Sequence, residues 1–123
     1  SYGHVAAAVR RADDREVAVK RITGAFDSRR DALCILREMR ILSALPKHPN
    51  LVELLDARTP LPSASEARVY DGADVFLVFE RMPTDLEKVV NSNQFFTAEH
   101  VRWLTLDLLR AIRVLHGAGI VHR

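Results

Sequence analysis

The sequence contains very little cysteine and no long hydrophobic run. Cys34 is the only cysteine, which excludes an internal disulfide and a metal site built from cysteines alone. No apolar run reaches the roughly 18 residues that a membrane-spanning helix needs, and no secretory signal peptide opens the chain. We therefore predict no membrane partner. Because the chain starts at Ser1 rather than at Met, we expect the natural N-terminus to lie further upstream.

An excess of charge of one sign is also missing. Lys and Arg number 18 and Asp and Glu number 16, which gives a net charge of +2 with the two signs interleaved. This balance gives no reason to expect nucleic acid as a partner. The hydrophobic fraction of 48% and the charged fraction of 28% are typical of a soluble globular protein. At 123 residues, the chain is one small domain or part of a larger one.

Hydrophobic periodicity predicts an α+β fold. Short runs rich in β-branched residues indicate strands, and longer runs with a 3.6-residue period indicate helices. We expect strands at 5–10, 15–22, 50–57 and 74–80, a loop at 59–73, and helices at 27–45, 84–90 and 96–117. Ser28 or Asp27 would cap the first helix, and Thr97 would cap the last. The apolar stripe of the last helix has almost no sequence after it to bury it, so we expect part of a larger domain.

The tetrapeptide VAVK at 17–20 is the first candidate for chemistry. Side chains alternate along a strand, so Ala18 and Lys20 share one face and Val17 and Val19 share the other. If the valines face the core, Ala18 and Lys20 line a cleft in which a flat ring can lie and phosphates can meet the ammonium. Taken alone, an ordinary half-exposed strand with a surface lysine explains the tetrapeptide better.

Glu38 lies in the middle of an otherwise apolar face of the helix predicted at 27–45. A carboxylate in such a position is unfavourable unless it is paired, so we predict an ion pair with Lys20. A glutamate at the edge of the face, reaching water, is the alternative. Cys34 lies on the same face and is expected to be buried. Leu33 and Leu36 lie on the far side of the helix, where periodicity gives no reason for apolar residues.

Several short motifs together resemble those of the eukaryotic protein kinases. They are SYGHV at the start, VAVK, LREMRIL, HPN, DVFLVFERM and IVHR at the end, in that order. The kinase signature set contains a glycine-rich loop, a lysine on a strand and a His-Arg-Asp catalytic loop. The segments at 22–42 and 81–90 are similar to those of mitogen-activated protein kinases. The segments at 48–56 and 76–80 are equally similar to cyclin-dependent kinases, but LCILREM replaces the cyclin-binding signature. We therefore favour a mitogen-activated-protein-kinase-like enzyme.

This resemblance implies an architecture and an activity. Residues 1–82 would form a kinase N-terminal lobe, a small antiparallel sheet with one helix, together with the hinge. Residues 83–123 would begin the helical C-terminal lobe. The implied cofactors are ATP and Mg²⁺, and the implied partners are proteins phosphorylated on Ser or Thr and an upstream activating kinase. An intracellular location, in the cytoplasm or the nucleus, follows from the same resemblance.

The resemblance also implies roles for single residues. Lys20 would contact the α- and β-phosphates of ATP, with Glu38 as its partner. The other implied nucleotide contacts are Gly3 in the phosphate loop, Val5 and Ala18 around adenine, Phe79 behind it, Glu80 and Met82 at the hinge, and Asp85 and Lys88 near the ribose. In any other fold, Phe79 would simply be a buried aromatic and Asp85 a helix cap.

Further implied roles concern regulation and the missing catalytic parts. Leu42 and His122 would belong to an internal apolar stack, and Arg37 and Arg123 would bind a phosphothreonine. A solvated helix charge is the plainer interpretation of Arg37. The segment GIVHR at 119–123 would be a strand that enters the catalytic loop. Two glycines of the phosphate loop would precede Ser1, and the catalytic aspartate would follow Arg123. We therefore expect the 123 residues alone to be inactive. The alternative is a pseudokinase, acting as a nucleotide-binding or scaffold module.

Overall fold

The computed structural model of the protein describes residues 3–59 and 73–122, and it has the predicted α+β architecture. The elements follow in the order β1 His4–Arg10, β2 Arg15–Ile22, α1 Arg29–Ala44, β3 Leu54–Arg58, β4 Val75–Glu80, α2 Leu86–Val90 and α3 Ala98–Gly117. The fold class is therefore confirmed, and most element positions agree with the periodicity of the sequence.

The strands of the described residues form one antiparallel sheet in the order β1-β2-β4-β3. A tight turn joins β1 to β2 and brings Arg10 opposite Arg15. Asp13 lies between these two like charges and accepts a hydrogen bond of 2.7 Å from Nε of Arg10. Asp14 has a φ of 54°, in the left-handed region that short polar residues such as Asp tolerate. The charges of the turn thus help to hold the first hairpin together.

The hydrophobic core lies on the sheet face that carries Lys20. Ile22, Ala25, Val75 and Leu77 are buried there, and Leu77 is completely inaccessible to solvent. Residues directly opposite each other in antiparallel strands share a face. Because Lys20 lies opposite Leu77, the face of Lys20 is the core face. The interpretation that Val17 and Val19 pack in the main core is therefore wrong, although Val17 is buried on the other face.

Each helix begins at a polar cap. The backbone N–H of Asp31 donates to Oγ of Ser28 at 3.1 Å, so Ser28 caps α1. Thr97 caps α3 in a reciprocal arrangement, in which His100 N–H donates to its Oγ1 and its own N–H donates to Nδ1 of His100. The predicted caps of these two helices are therefore confirmed, and both helices start two residues later than expected.

Two predicted segments differ from the structure. The third strand starts at Leu54 rather than at residue 50, because residues 48–51 form a turn in which Leu51 N–H donates to the carbonyl of His48 at 3.0 Å. The final segment, expected to enter a catalytic loop as a strand, has no strand in its described residues 118–122. Most of the predicted loop at 59–73 lies outside the described residues.

The chain divides into two compact units. The sheet unit contains Ser1–Ala44 and Glu53–Arg81, and the helical unit contains Leu45–Val52 and Met82–Arg123. Assigning residues 1–82 and 83–123 to two kinase lobes stays a prediction. On α3, the predicted apolar stripe includes Val101 and Leu108, which are more than half exposed. Among the helices of the described residues, none is long and apolar enough to span a membrane.

Candidate functional site

Lys20 and Glu38 form an ion pair that links the sheet to the helix. Nζ of Lys20 on β2 lies 2.7 Å from Oε1 of Glu38 on α1. The two side chains are only 16% and 32% exposed, so the contact is partly shielded from water. The pair predicted from the sequence is therefore present, and the carboxylate on the apolar helix face has the cation that it needs. A charge-assisted hydrogen bond of this length holds the ammonium in one place.

The position of Lys20 leaves its ammonium able to bind an anion. An ammonium group has three N–H donors, so the bond to Glu38 leaves two for other acceptors. Lys20 lies opposite Leu77 on one side and opposite Val5 on the other. Because both neighbours are apolar, the site has a fixed positive head above a hydrophobic floor. This combination suits the phosphate end of a nucleotide whose base lies on the same face.

Three more predicted site residues share the face of Lys20. Ala18 lies between Ala7 and Phe79 in the register of the sheet, and Val5 lies opposite Lys20. Ala18 has the smallest side chain that is not glycine, so a flat ring can approach the sheet closely at this point. Phe79 is partly buried and packs against the core cluster. Its role behind an adenine ring stays a prediction, because packing in the core also explains an aromatic residue at this position.

Gly3 approaches the backbone beside Lys20 more closely than any other residue type would allow. A Cβ atom at this position would lie 2.8 Å from the carbonyl oxygen of Arg21 and 3.3 Å from Cγ of Lys20. The first distance is below ordinary van der Waals contact, so a side chain would force the strand or the backbone to move. The close approach fits a loop that covers bound phosphates.

The remaining predicted contacts lie at or after the end of β4. Glu80 is the last residue of this strand, and its N–H donates to the carbonyl of Glu53 at 3.2 Å. Met82 belongs to the helical unit and is 46% exposed. Their contacts with an adenine edge depend on backbone groups and stay predictions.

Asp85 and Lys88 are close together in the helical unit. Oδ1 of Asp85 accepts a hydrogen bond of 2.8 Å from the N–H of Lys88, and Asp85 is the N-cap of α2. Nζ of Lys88 lies 3.2 Å from Oδ2 of Asp85. These bonds, the backbone bond first, hold the pKa of Asp85 below its ordinary value. The capping interpretation of Asp85 is thus confirmed, and a role at a ribose stays a prediction for both residues.

A cavity of about 670 Å³ lies between the loop after β2 and the first turns of α1, and Glu38 is one of its lining residues. Its lining includes three carboxylates, those of Asp27, Asp31 and Glu38, and one guanidinium, that of Arg30. This negative balance makes the cavity unfavourable for a polyanion such as a triphosphate. Within the described residues, no cluster of three His, Cys, Asp or Glu side chains is arranged to hold a metal ion.

Other sequence predictions have mixed outcomes. Cys34 is exposed and lines the cavity, so the expectation that it is buried is wrong. Arg37 is exposed on α1, Leu42 is half-buried, and His122 is exposed. Their regulatory and structural roles stay predictions, and Arg123 lies outside the described residues.

Leu77 is the site residue that sequence reasoning did not single out. It is fully buried directly opposite Lys20 and forms the hydrophobic floor beside the ion pair. The sequence signal for Leu77 was its position in the strongly β-prone run at 74–80. Recognising its role requires the register between β2 and β4, and these strands are more than 50 residues apart in the chain.

Comparisons with known proteins agree with this geometry. The family model of the protein kinase domain matches residues 1–123. Mitogen-activated protein kinase 4 of Oryza sativa subsp. japonica is 39% identical over 123 residues, which cover the whole chain and 31% of the relative. Mitogen-activated protein kinase homolog 1 of Petunia hybrida is 38% identical, with 30% of the relative covered. Mitogen-activated protein kinase 19 of Arabidopsis thaliana is also 38% identical, with 19% covered.

The chain therefore spans about a third or less of the length of these relatives. The family match covers every residue, and the Lys20–Glu38 ion pair that the kinase resemblance implies is present. The chain belongs to the protein kinase domain family, and its 123 residues correspond to part of a kinase domain of the mitogen-activated-protein-kinase type.

Proposed function

We propose that the chain is the nucleotide-binding part of an ATP-dependent protein serine/threonine kinase. The observation that carries the proposal is the 2.7 Å bond between Lys20 and Glu38. This bond fixes an ammonium on the same sheet face as Ala18, beside the close backbone approach at Gly3. Charge, a space for a flat ring and a close-lying backbone are the three features that a bound ATP needs. The names of the relatives support the choice of a mitogen-activated-protein-kinase-like enzyme.

Each residue then has a definite task. Lys20 donates hydrogen bonds to phosphate oxygens, and Glu38 keeps Lys20 from turning away. Gly3 allows backbone N–H groups to approach the phosphates, and Val5 and Ala18 exclude water from the two sides of the base. The backbone groups of Glu80 and Met82 pair with the adenine edge, and Asp85 and Lys88 lie near the ribose. ATP supplies the γ-phosphoryl group, and Mg²⁺ supplies positive charge that neutralises the phosphates.

The proposed reaction needs more than these 123 residues. A carboxylate base orients the Ser or Thr hydroxyl in this class of enzyme, and metal ligands are also required. None of the described residues is assigned to either task. We therefore expect the 123-residue chain alone to bind nucleotide without transferring phosphate. The full-length protein would act inside the cell, in the cytoplasm or the nucleus, on protein substrates. An upstream kinase would activate it by phosphorylating a threonine, and Arg37 would help to bind that phosphothreonine.

The test is phosphoryl transfer by the full-length protein that contains these residues. It would be incubated with Mg²⁺, ATP labelled at the γ-phosphate and a protein rich in Ser, Thr and Tyr, and the labelled amino acids would be identified after hydrolysis. The proposal predicts label on phosphoserine and phosphothreonine. Label on phosphotyrosine alone would contradict the predicted specificity. In protein already phosphorylated by an upstream kinase, ATP binding without any transfer would identify a pseudokinase scaffold instead.

A further inference from the structure

The outward side of α1 carries a surface that the nucleotide site does not use. Leu33 and Leu36 are 49% and 41% exposed, although most leucines in a folded protein are covered. Arg29, Arg37 and Arg40 are exposed around them. We call these five residues the arginine–leucine face.

The arginine–leucine face occupies one continuous side of the helix. At about 100° per residue, its five residues fall within an arc of about 100°. The side chains of α1 that pack on the core, Ile35 and Met39, point about 130° away from the middle of this arc. Glu38 points about 150° away, toward Lys20. The face is therefore separate from both the core contact and the ion pair.

The charges on α1 are segregated around its axis. Its two carboxylates, Asp31 and Glu38, lie on the side opposite the arginine–leucine face. Among the described residues, no ion pair or hydrogen bond involves the guanidinium groups of Arg29, Arg37 or Arg40. These three positive charges are therefore not neutralised within the described part of the chain.

Helix stability does not account for this arrangement. Arg29 stands in the first turn, where the helix dipole favours negative charge, and the last turn of α1 contains no basic residue. The exposed Leu33 and Leu36 contribute little to the core. Exposed leucines and arginines that do not stabilise the helix itself are expected where another molecule covers that side of the helix.

We propose that the arginine–leucine face binds an acidic amphipathic helix of a partner protein. Apolar side chains on the partner, spaced three and four residues apart, would pack against Leu33 and Leu36. Carboxylates at the two ends of that stripe would pair with Arg29 and Arg40 through two-pronged hydrogen bonds, and Arg37 stays available for the phosphothreonine. The two central leucines favour a protein over a nucleic acid, because a phosphate backbone has no apolar stripe to cover them.

The proposal does not rest on the proposed kinase activity. The partner would occupy the side of α1 that points away from Glu38, so it need not touch the nucleotide site. Nucleotide binding therefore serves as an independent check that a variant is folded. A variant of the arginine–leucine face should lose partner binding and still bind ATP. If the proposed function is wrong, the unaltered protein itself should not bind ATP.

The experiment measures binding of a synthetic helix to the full-length protein by fluorescence anisotropy. The probe is a labelled, side-chain-crosslinked peptide of about 18 residues, with Leu at spacings of three and four and Glu on the flanks. A twin peptide carries Lys in place of every Glu. We expect the acidic probe to bind, the twin to bind at least about tenfold more weakly, and the affinity to fall as salt is raised.

Two variants of the arginine–leucine face and one matched control complete the design. The Arg29→Glu/Arg40→Glu variant should bind the acidic probe about tenfold more weakly or worse, and so should Leu33→Ser/Leu36→Ser. The control, Arg11→Glu/Arg113→Glu, makes the same change in net charge at two exposed arginines elsewhere. It should bind the probe within about twofold of the unaltered protein.

Several results would overturn the proposal. They are equal binding of the acidic probe and its twin, an unchanged affinity in both variants of the face, or no binding to the full-length protein at about 100 µM probe. Self-association that is detected by sedimentation and lost in Leu33→Ser/Leu36→Ser would identify a second copy as the occupant. A 20-nucleotide RNA, about two helical turns long, serves as the nucleic-acid probe. If its binding depends on Arg29 and Arg40 but not on the leucines, the face would be assigned to nucleic acid.

Discussion

Nζ of Lys20 lies 2.7 Å from Oε1 of Glu38, although the two residues are separated by 18 positions and belong to a strand and a helix. The contact fixes the height of α1 above the sheet and the direction of the lysine head at the same time. One bond thus couples the packing of the sheet unit to the electrostatics of its candidate site. Substitutions in and around this pair should therefore change nucleotide binding in predictable ways.

Replacing Glu38 should weaken nucleotide binding because Lys20 would lose the acceptor that orients it. We expect Glu38→Gln to lower the affinity of the full-length protein for a fluorescent ATP analogue by about tenfold. Adding Lys20→Met to this variant should cost less than Lys20→Met costs in the unaltered protein, because the two side chains act as a unit. Glu99→Gln, an exposed change in the first turn of α3, is the control. Additive losses would argue against coupling.

A side chain at Gly3 should disturb the site and the first hairpin together. Gly3→Val places atoms 2.8 Å from the carbonyl oxygen of Arg21, so we expect a lower melting temperature and weaker nucleotide binding. The cost to stability should be about 1–3 kcal/mol. The control is Gly117→Ala, where a Cβ meets no atom within 4 Å and helix propensity gains up to about 1 kcal/mol. Equal melting temperatures for both variants would show that the close approach at Gly3 is unimportant.

Enlarging Ala18 should block the base without unfolding the sheet. Its side chain lies on the face of Lys20 and Phe79, so Ala18→Leu would fill the space proposed for a flat ring. We expect at least a tenfold loss of ATP affinity, about 1.4 kcal/mol. Val19→Leu enlarges the neighbouring residue on the opposite face and should leave the affinity within about twofold. If the two changes have the same effect, the base does not lie on the Ala18 face.

The N-terminal cap of α2 should weaken as the pH falls into the acid range. Hydrogen bonds from Lys88 lower the pKa of Asp85 below its ordinary value of 3.8. A carboxylate with a lowered pKa stabilises the fold fully above its unfolded pKa, and that contribution is lost as the pH falls through the folded pKa. The amide resonance of Lys88, followed by NMR, should therefore titrate with a midpoint below 3.8. Asp85→Asn should abolish the titration, and a midpoint at or above 3.8 would contradict the cap.

Local chemistry made much of this structure predictable. Ser28 and Thr97 are polar residues placed just before periodic apolar segments, and both cap their helices in the structure. The Lys20–Glu38 pair followed from the cost of an unpaired carboxylate on an apolar face, which is a strong constraint that one sequence can reveal. The resemblance to kinases placed these residues in order along the chain.

Properties that depend on contacts between distant segments were harder to predict. The buried face of β2 depends on which side meets β4 and α1, and the alternation of valines with Ala18 and Lys20 fits either side. The start of β3 depends on a turn in which the backbone N–H of Asn50 donates to Nδ1 of His48. Cys34 is exposed because only Ile35 and Met39 of α1 are packed against the core cluster. Each of these three features is set by contacts between segments that are distant in the chain.

The most direct test of the central claim is the rate of γ-phosphoryl transfer by the full-length protein and by its Lys20→Met variant. Both would be assayed at saturating Mg²⁺-ATP on the same protein substrate, after circular dichroism has shown that both are folded. If the Lys20–Glu38 pair positions the phosphates, the variant should be slower by about a hundredfold or more, equivalent to about 2.7 kcal/mol. Equal rates for the two proteins would contradict the role assigned to Lys20.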